Sequence, residues 1–161
     1  MSAESYKPLG LIAIVILWFG LGFLVARWPK GLHATFSQHA AASRITELYY
    51  VGLFAITLPM LMAFFVGWFA PVFRLSSIFL VLIWGSVLAQ FVVTLIPETG
   101  GWKTQWHRVL SFGSAGLLVP ALAMVTAASR VSVGARLASC VCLLAMLEII
   151  AVMVLSKAQH R

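Results

Sequence analysis

The stretch LGLIAIVILWFGLGFLVA, residues 9–26, carries no charged side chain and stops at Arg27-Trp28-Pro29-Lys30. A helix that crosses a bilayer needs about 20 apolar residues, and basic and aromatic side chains gather where it leaves the lipid. The stretch and its boundary together predict a membrane-crossing helix. Lys7 precedes it, as a basic residue precedes the apolar core of a secretory leader, but no Ala-x-Ala-like cleavage site follows. A retained anchor is the expectation.

Four more runs of this kind follow, at residues 48–70, 75–96, 109–128 and 137–155. The second opens on Tyr49-Tyr50 and closes near Trp68, the third stops at Pro97, and the fourth contains Pro120. Proline inside a membrane helix is tolerated where neighbouring helices satisfy the freed backbone groups. The connections are short except residues 27–47, which are polar enough to lie outside lipid. The runs are continuous rather than alternating, which favours helices over a β-barrel. The expected fold is all-α, a single integral membrane bundle of about five transmembrane helices spaced over the whole chain.

Composition agrees. Of 161 residues, 62% are hydrophobic and 9% charged, with a mean hydropathy of +1.03, against about a quarter charged in a soluble domain. The net charge of +7 needs no nucleic acid partner, because Lys and Arg at helix ends lie against anionic headgroups. With five crossings, Arg27, Lys30, Arg44, Lys103, Arg108, Lys157 and Arg161 fall on one side, and Lys7, Arg74, Arg130 and Arg136 on the other. The excess puts the first group in the cytoplasm. The expected location is multi-pass in a bacterial cytoplasmic membrane, with the lipid bilayer and other membrane subunits as partners. Cys140 and Cys142 are two apart in one helical run, which excludes a disulfide between them and a Cys-x-x-Cys pair; they are expected to be buried small hydrophobes. The chain has no P-loop, dinucleotide-binding, nucleophile-elbow or haem-attachment motif.

The few polar side chains are therefore the informative ones. Glu148 interrupts Met146-Leu147-Glu148-Ile149-Ile150, roughly 12 Å inside the end of its run at 1.5 Å per residue. A carboxylate at such a depth costs about 2.5–3.5 kcal/mol on insertion scales and is expected to face the bundle interior. Gln90 lies at a similar depth in the third run, so Glu148 is expected to be held as the protonated acid by a hydrogen bond from Gln90 or from a serine of the fourth helix. The same end receives His39, Arg44 and Glu47 from the first connection, Glu98 and His107 from the third, and Ser111 and Ser114 from the fourth helix. All four histidines, His33 and His160 included, belong to this half. A polar pocket opening on that face is the expectation, made of Glu148, Gln90, Glu98, His107, Ser111, Ser114, His39, Arg44 and Glu47.

The segment Leu95-Ile96-Pro97-Glu98-Thr99-Gly100-Gly101-Trp102-Lys103, followed by His107, resembles the Pro-acidic…His signature of the DUF998-type family of small polytopic membrane proteins. Ser37-Gln38-His39-Ala40-Ala41-Ala42-Ser43 is similar to that family's first-loop serine motif. The likeness spans about residues 30–125 and extends distantly to the Frag1/DRAM-like membrane proteins. It implies a six-helix protein with an interior N-terminus, against the five helices and opposite orientation read from the runs, and it supplies no reaction.

Three functional readings follow. The lack of any complete catalytic constellation favours a noncatalytic module that binds a small molecule or lipid, or an accessory subunit of a membrane complex. A membrane-embedded hydrolase would use His39, Glu98 and His107 to hold a metal such as zinc, with Glu148 as acid or base. A proton or ion pathway would run through Glu148. No catalytic residue and no cofactor is assigned.

Overall fold

A computed structural model describes the backbone of residues 2–31 and 34–159, and the side-chain surroundings of residues 2–31 and 34–148. His33, His160 and Arg161 lie outside the described residues, as does the side chain of Lys157. The elements are α1 (Lys7–Arg27), α2 (Phe36–Ala40), α3 (Arg44–Phe64), α4 (Ala70–Phe73), α5 (Ser77–Leu95), α6 (Gly101–Ala127) and α7 (Val133–Gln159). No strand occurs among the described residues. The fold is an all-α bundle, and among the described residues four helices are long and apolar enough to cross a membrane: Ala3–Arg27, Arg44–Phe73, Ser77–Leu95 and Gly101–Ala127. The fifth run lies on α7.

Several boundaries move, each for a local reason. The connection at 27–47 is not all loop: Thr35 accepts from the Gln38 amide while the Gln38 side chain accepts from the Thr35 amide, a capping box that starts α2. Ser43 and Thr46 repeat the exchange and start α3 four residues before its apolar run. α6 begins at Gly101, eight residues before its apolar run, because Gly100 and Gly101 take positive φ values of 104° and 56° and the Thr104 hydroxyl accepts the Gly100 amide. Helical hydrogen bonding thus continues beyond the apolar segment that hydropathy marks.

α3 continues through one π-helical turn, Phe65–Phe69, into α4. Pro71 lies two residues beyond it, and a proline ring clashes with the carbonyl four residues back, here Gly67, in a regular α-helix. The wider turn relieves that clash and packs Phe65 and Phe69 on Phe79 at centroid separations of 6.0 and 5.9 Å.

The helices form a row: α1 packs on α3, α3 on α5, α5 on α6, and α6 on α7. Gly20 admits α3 closely, since a Cβ there would meet the Leu53 side chain at 2.5 Å, and Tyr49 donates to the Gly20 carbonyl at 3.0 Å. One apolar cluster holds Leu24, Ala40, Tyr50, Phe54 and Leu58. A second, toward the opposite end, holds Met62, Ala70, Phe79, Ile83, Ala121 and Val125. Between α5 and α6, Ser86 Oγ donates to the Ser114 carbonyl and Ser114 Oγ to the Ser86 carbonyl, both at 3.0 Å. Cys140 is half-buried and Cys142 exposed, so the expected burial of both thiols fails at Cys142.

Candidate functional site

The polar end of the bundle is assembled from α2, the start of α3, the end of α5 and the start of α6. Pro97 ends α5, and the extended Ile96 before it turns its carbonyl away from the helix. His107, nearly two turns into α6, donates from Nδ1 to that carbonyl at 2.7 Å and so ties the two helix ends together. The next residue after Pro97 is Glu98. Its Oε2 accepts from Ser37 Oγ at 2.9 Å and Thr35 Oγ1 at 3.2 Å, across more than sixty residues of sequence. Its Oε1 lies 3.7 Å from the Arg108 guanidinium. The Glu98 side chain is 10% exposed and that of Arg108 65%. The solvated ion pair is therefore the weaker link, and the two hydroxyl bonds to a charged acceptor are the stronger.

His39 is 2% exposed and fully engaged. Nδ1 bonds the Thr35 carbonyl at 2.9 Å, which makes it the protonated nitrogen. Nε2 then accepts the Lys30 amide at 3.3 Å. Lys30 also donates from Nζ to the Gln38 carbonyl at 3.1 Å. Neither ring nitrogen of His39 is left for a metal. Among the described residues, no three His, Cys, Asp or Glu side chains gather where they could hold a metal ion. The Glu98 carboxylate and His107 share the α5–α6 turn, but they serve different neighbours.

A cleft does open here, bordered by Ser37, Glu47, Tyr50, Thr94, Pro97 and His107. Its free volume is about 10 Å³, the lower limit for holding one water molecule. The Nδ1 bond of His107, a residue that borders this cleft, leaves its Nε2 as the unprotonated nitrogen. The pocket expected from sequence thus shrinks to a single-water niche.

Of the remaining expected residues only Glu47 borders this cleft. Arg44 and Glu47 pair with each other at 2.8 Å along one turn of α3, with the Arg44 side chain 73% exposed. Ser114 is buried in its exchange with Ser86, nearer the middle of the bundle. Gln90 and Ser111 are half-buried, one helical turn from Ser86 and Ser114 on the same α5–α6 seam. Glu148 is the clear correction. It is exposed on α7 and bonds neither Gln90 nor a serine of α6 among the described residues. α7 turns a different face to α6, so the carboxyl group points out of this bundle.

The residues that sequence reasoning missed are Thr35, Ser37's partnership with Glu98, Thr46 and Ser86. Thr35-x-x-Gln38 carried the capping-box spacing. Ser86, a lone hydroxyl in an apolar run, was as visible as Ser114.

No protein-family model, curated protein or solved structure matches this chain.

Proposed function

We propose that this chain is a noncatalytic membrane module that binds the acyl chain of a lipid along the seam between α3 and α5. The observation that supports the reading is a lateral groove of about 490 Å³, within the range of about 300–1,000 Å³ usual for small-molecule sites. Its origin is legible in α3. Ala55, Pro59 and Ala63 recur every four residues and give a low line along one helix face, walled by Leu58 and Met62 on one side and by Trp84, Leu88 and Phe91 of α5 on the other.

From Ala55 to Val66 the groove follows α3 for roughly 16 Å at 1.5 Å per residue. Half of a 30 Å hydrocarbon core is about 15 Å, so the length suits the chain of one leaflet. Lipid tails are as apolar as leucine, and an occupant already in the bilayer gains nothing from leaving water. Selection rests on shape and dispersion contacts, which the Trp84 and Phe91 rings supply.

The test is photocrosslinking in bilayers with a phospholipid carrying a diazirine on its acyl chain, followed by peptide mapping. Adducts concentrated on residues 55–66 and 84–91, and lost when Ala63→Trp fills the groove, support the reading. Adducts spread equally over the exposed faces of α1 and α6, unchanged by Ala63→Trp, overturn it.

A further inference from the structure

Two side chains at the polar end carry a hydrogen-bonding atom that the bundle does not use. Tyr50, nearly two turns into α3, is 6% exposed, and its ring packs on Phe54 at a centroid separation of 4.9 Å. His107 of α6 is 7% exposed. Among the described residues, neither the Tyr50 hydroxyl nor His107 Nε2 bonds a protein group, whereas His107 Nδ1 is held by the Ile96 carbonyl. No buried side-chain nitrogen or oxygen among these residues is left without a partner, so both atoms touch solvent. In side chains more than nine-tenths buried, that contact is made through an opening in the fold. Both residues border the same one, the cleft of about 10 Å³.

The cleft has room for one water molecule, and the two atoms make complementary demands on it. The phenol hydroxyl has a proton to donate. The imidazole nitrogen accepts, because the proton of the neutral ring is on Nδ1. A third partner stands at the same cleft. Glu47, one turn before Tyr50 on α3, gives its Oε2 to Arg44, and its Oε1 has no protein partner among the described residues. A buried water makes about three hydrogen bonds, and these three residues supply that number.

We propose that this cleft is the binding site of a single ordered water, which accepts from the Tyr50 hydroxyl and donates to His107 Nε2. The bridge joins α3 to α6, which α5 separates in the row of helices. A water-mediated bond is nearly as favourable in enthalpy as a direct one, so it serves where side chains stop short of each other. The site shares no lining residue with the α3–α5 groove, and it stands whether or not that groove holds lipid.

The test joins a crystal structure grown from a lipidic mesophase, at a resolution that shows waters, to a double-mutant cycle read by reversible unfolding in mixed micelles. A density peak within hydrogen-bond distance of both Tyr50 Oη and His107 Nε2 is expected. Tyr50→Phe removes the donor alone. His107→Asn removes Nε2 and keeps an amide nitrogen near the place of Nδ1 for the Ile96 carbonyl. Each single variant should lower the folding equilibrium constant about fivefold, the ordinary worth of one hydrogen bond, and the double variant should fall well short of the product of the two. Should His107→Asn fail to fold, the 15N spectrum of selectively labelled histidine carries the test, with the His107 Nε2 resonance expected to move when Tyr50→Phe is introduced. A cleft without the peak, a protein side chain in its place, a direct Tyr50–His107 bond, a strictly multiplicative double variant, or an Nε2 resonance unmoved by Tyr50→Phe would each overturn the proposal.

Discussion

Ser86 and Ser114 exchange hydroxyl hydrogen bonds onto each other's main-chain carbonyls, each 4% exposed, and so clasp α5 to α6 without any charged group. The carbonyls keep their helical bonds when a hydroxyl is removed, so truncation strands no donor or acceptor. Ser86→Ala and Ser114→Ala are each expected to cost about 0.5–1 kcal/mol, as interhelical side-chain bonds in membranes do. The double variant should lose less than the sum, because the pair is coupled. Reversible unfolding in mixed micelles measures all three. A strictly additive double variant would show that the two hydroxyls act separately.

The latch at Glu98 makes a different prediction. Removing the carboxylate takes the charged acceptor from the Ser37 and Thr35 hydroxyls and leaves them only each other, so Glu98→Ala should destabilise by about 1–3 kcal/mol. Glu98→Gln keeps an oxygen for the two hydroxyls and loses only the solvated Arg108 pair, with a smaller cost. Amide hydrogen exchange should locate the loss in α2, with faster exchange at residues 36–41 in the alanine variant. Unchanged exchange there would mean that α2 is held by its apolar contacts alone.

His39 is expected to behave as a structural residue. Both ring nitrogens are bonded, so added zinc should leave thermal stability unchanged, while His39→Phe should lower it by leaving the Lys30 amide and the Thr35 carbonyl without their side-chain partner. A zinc-dependent stabilisation that disappears in His39→Ala would restore the metal reading.

Topology is testable with single cysteines in a background with Cys140 and Cys142 replaced by alanine. Positions 30, 44 and 103 should label from one side of the membrane and positions 74 and 130 from the other. The row of helices requires this if each long helix crosses once. Labelling of 74 and 103 from the same side would remove α5 as a crossing.

Depth along each helix was legible in the sequence, and direction around it was not. Hydropathy places Glu148 well inside its run and Glu98 just outside one, and both placements hold. The face on which Glu148 lies depends on which side of α7 meets α6. A helix that is apolar all round carries no sequence signal for that choice. The same limit explains Ser114, whose partner is a serine and a main-chain carbonyl on another helix. Glu98 and His107 were legible as polar residues flanking Pro97. The two hydroxyls that hold Glu98 come from α2, which a polar composition had marked only as loop, although the Thr35–Gln38 spacing carried its start.

Because α1 packs on α3, α3 on α5, α5 on α6 and α6 on α7, every major interface joins long helices that are consecutive in the chain. The entropic cost of closing long loops is then small at each step. A chain delivered into the bilayer one helix at a time can dock each newcomer on the helix just before it, without waiting for a distant partner to be made. Order of synthesis thus serves as order of assembly, and α7 reaches its place only after α6 offers the Thr126 carbonyl to Arg136.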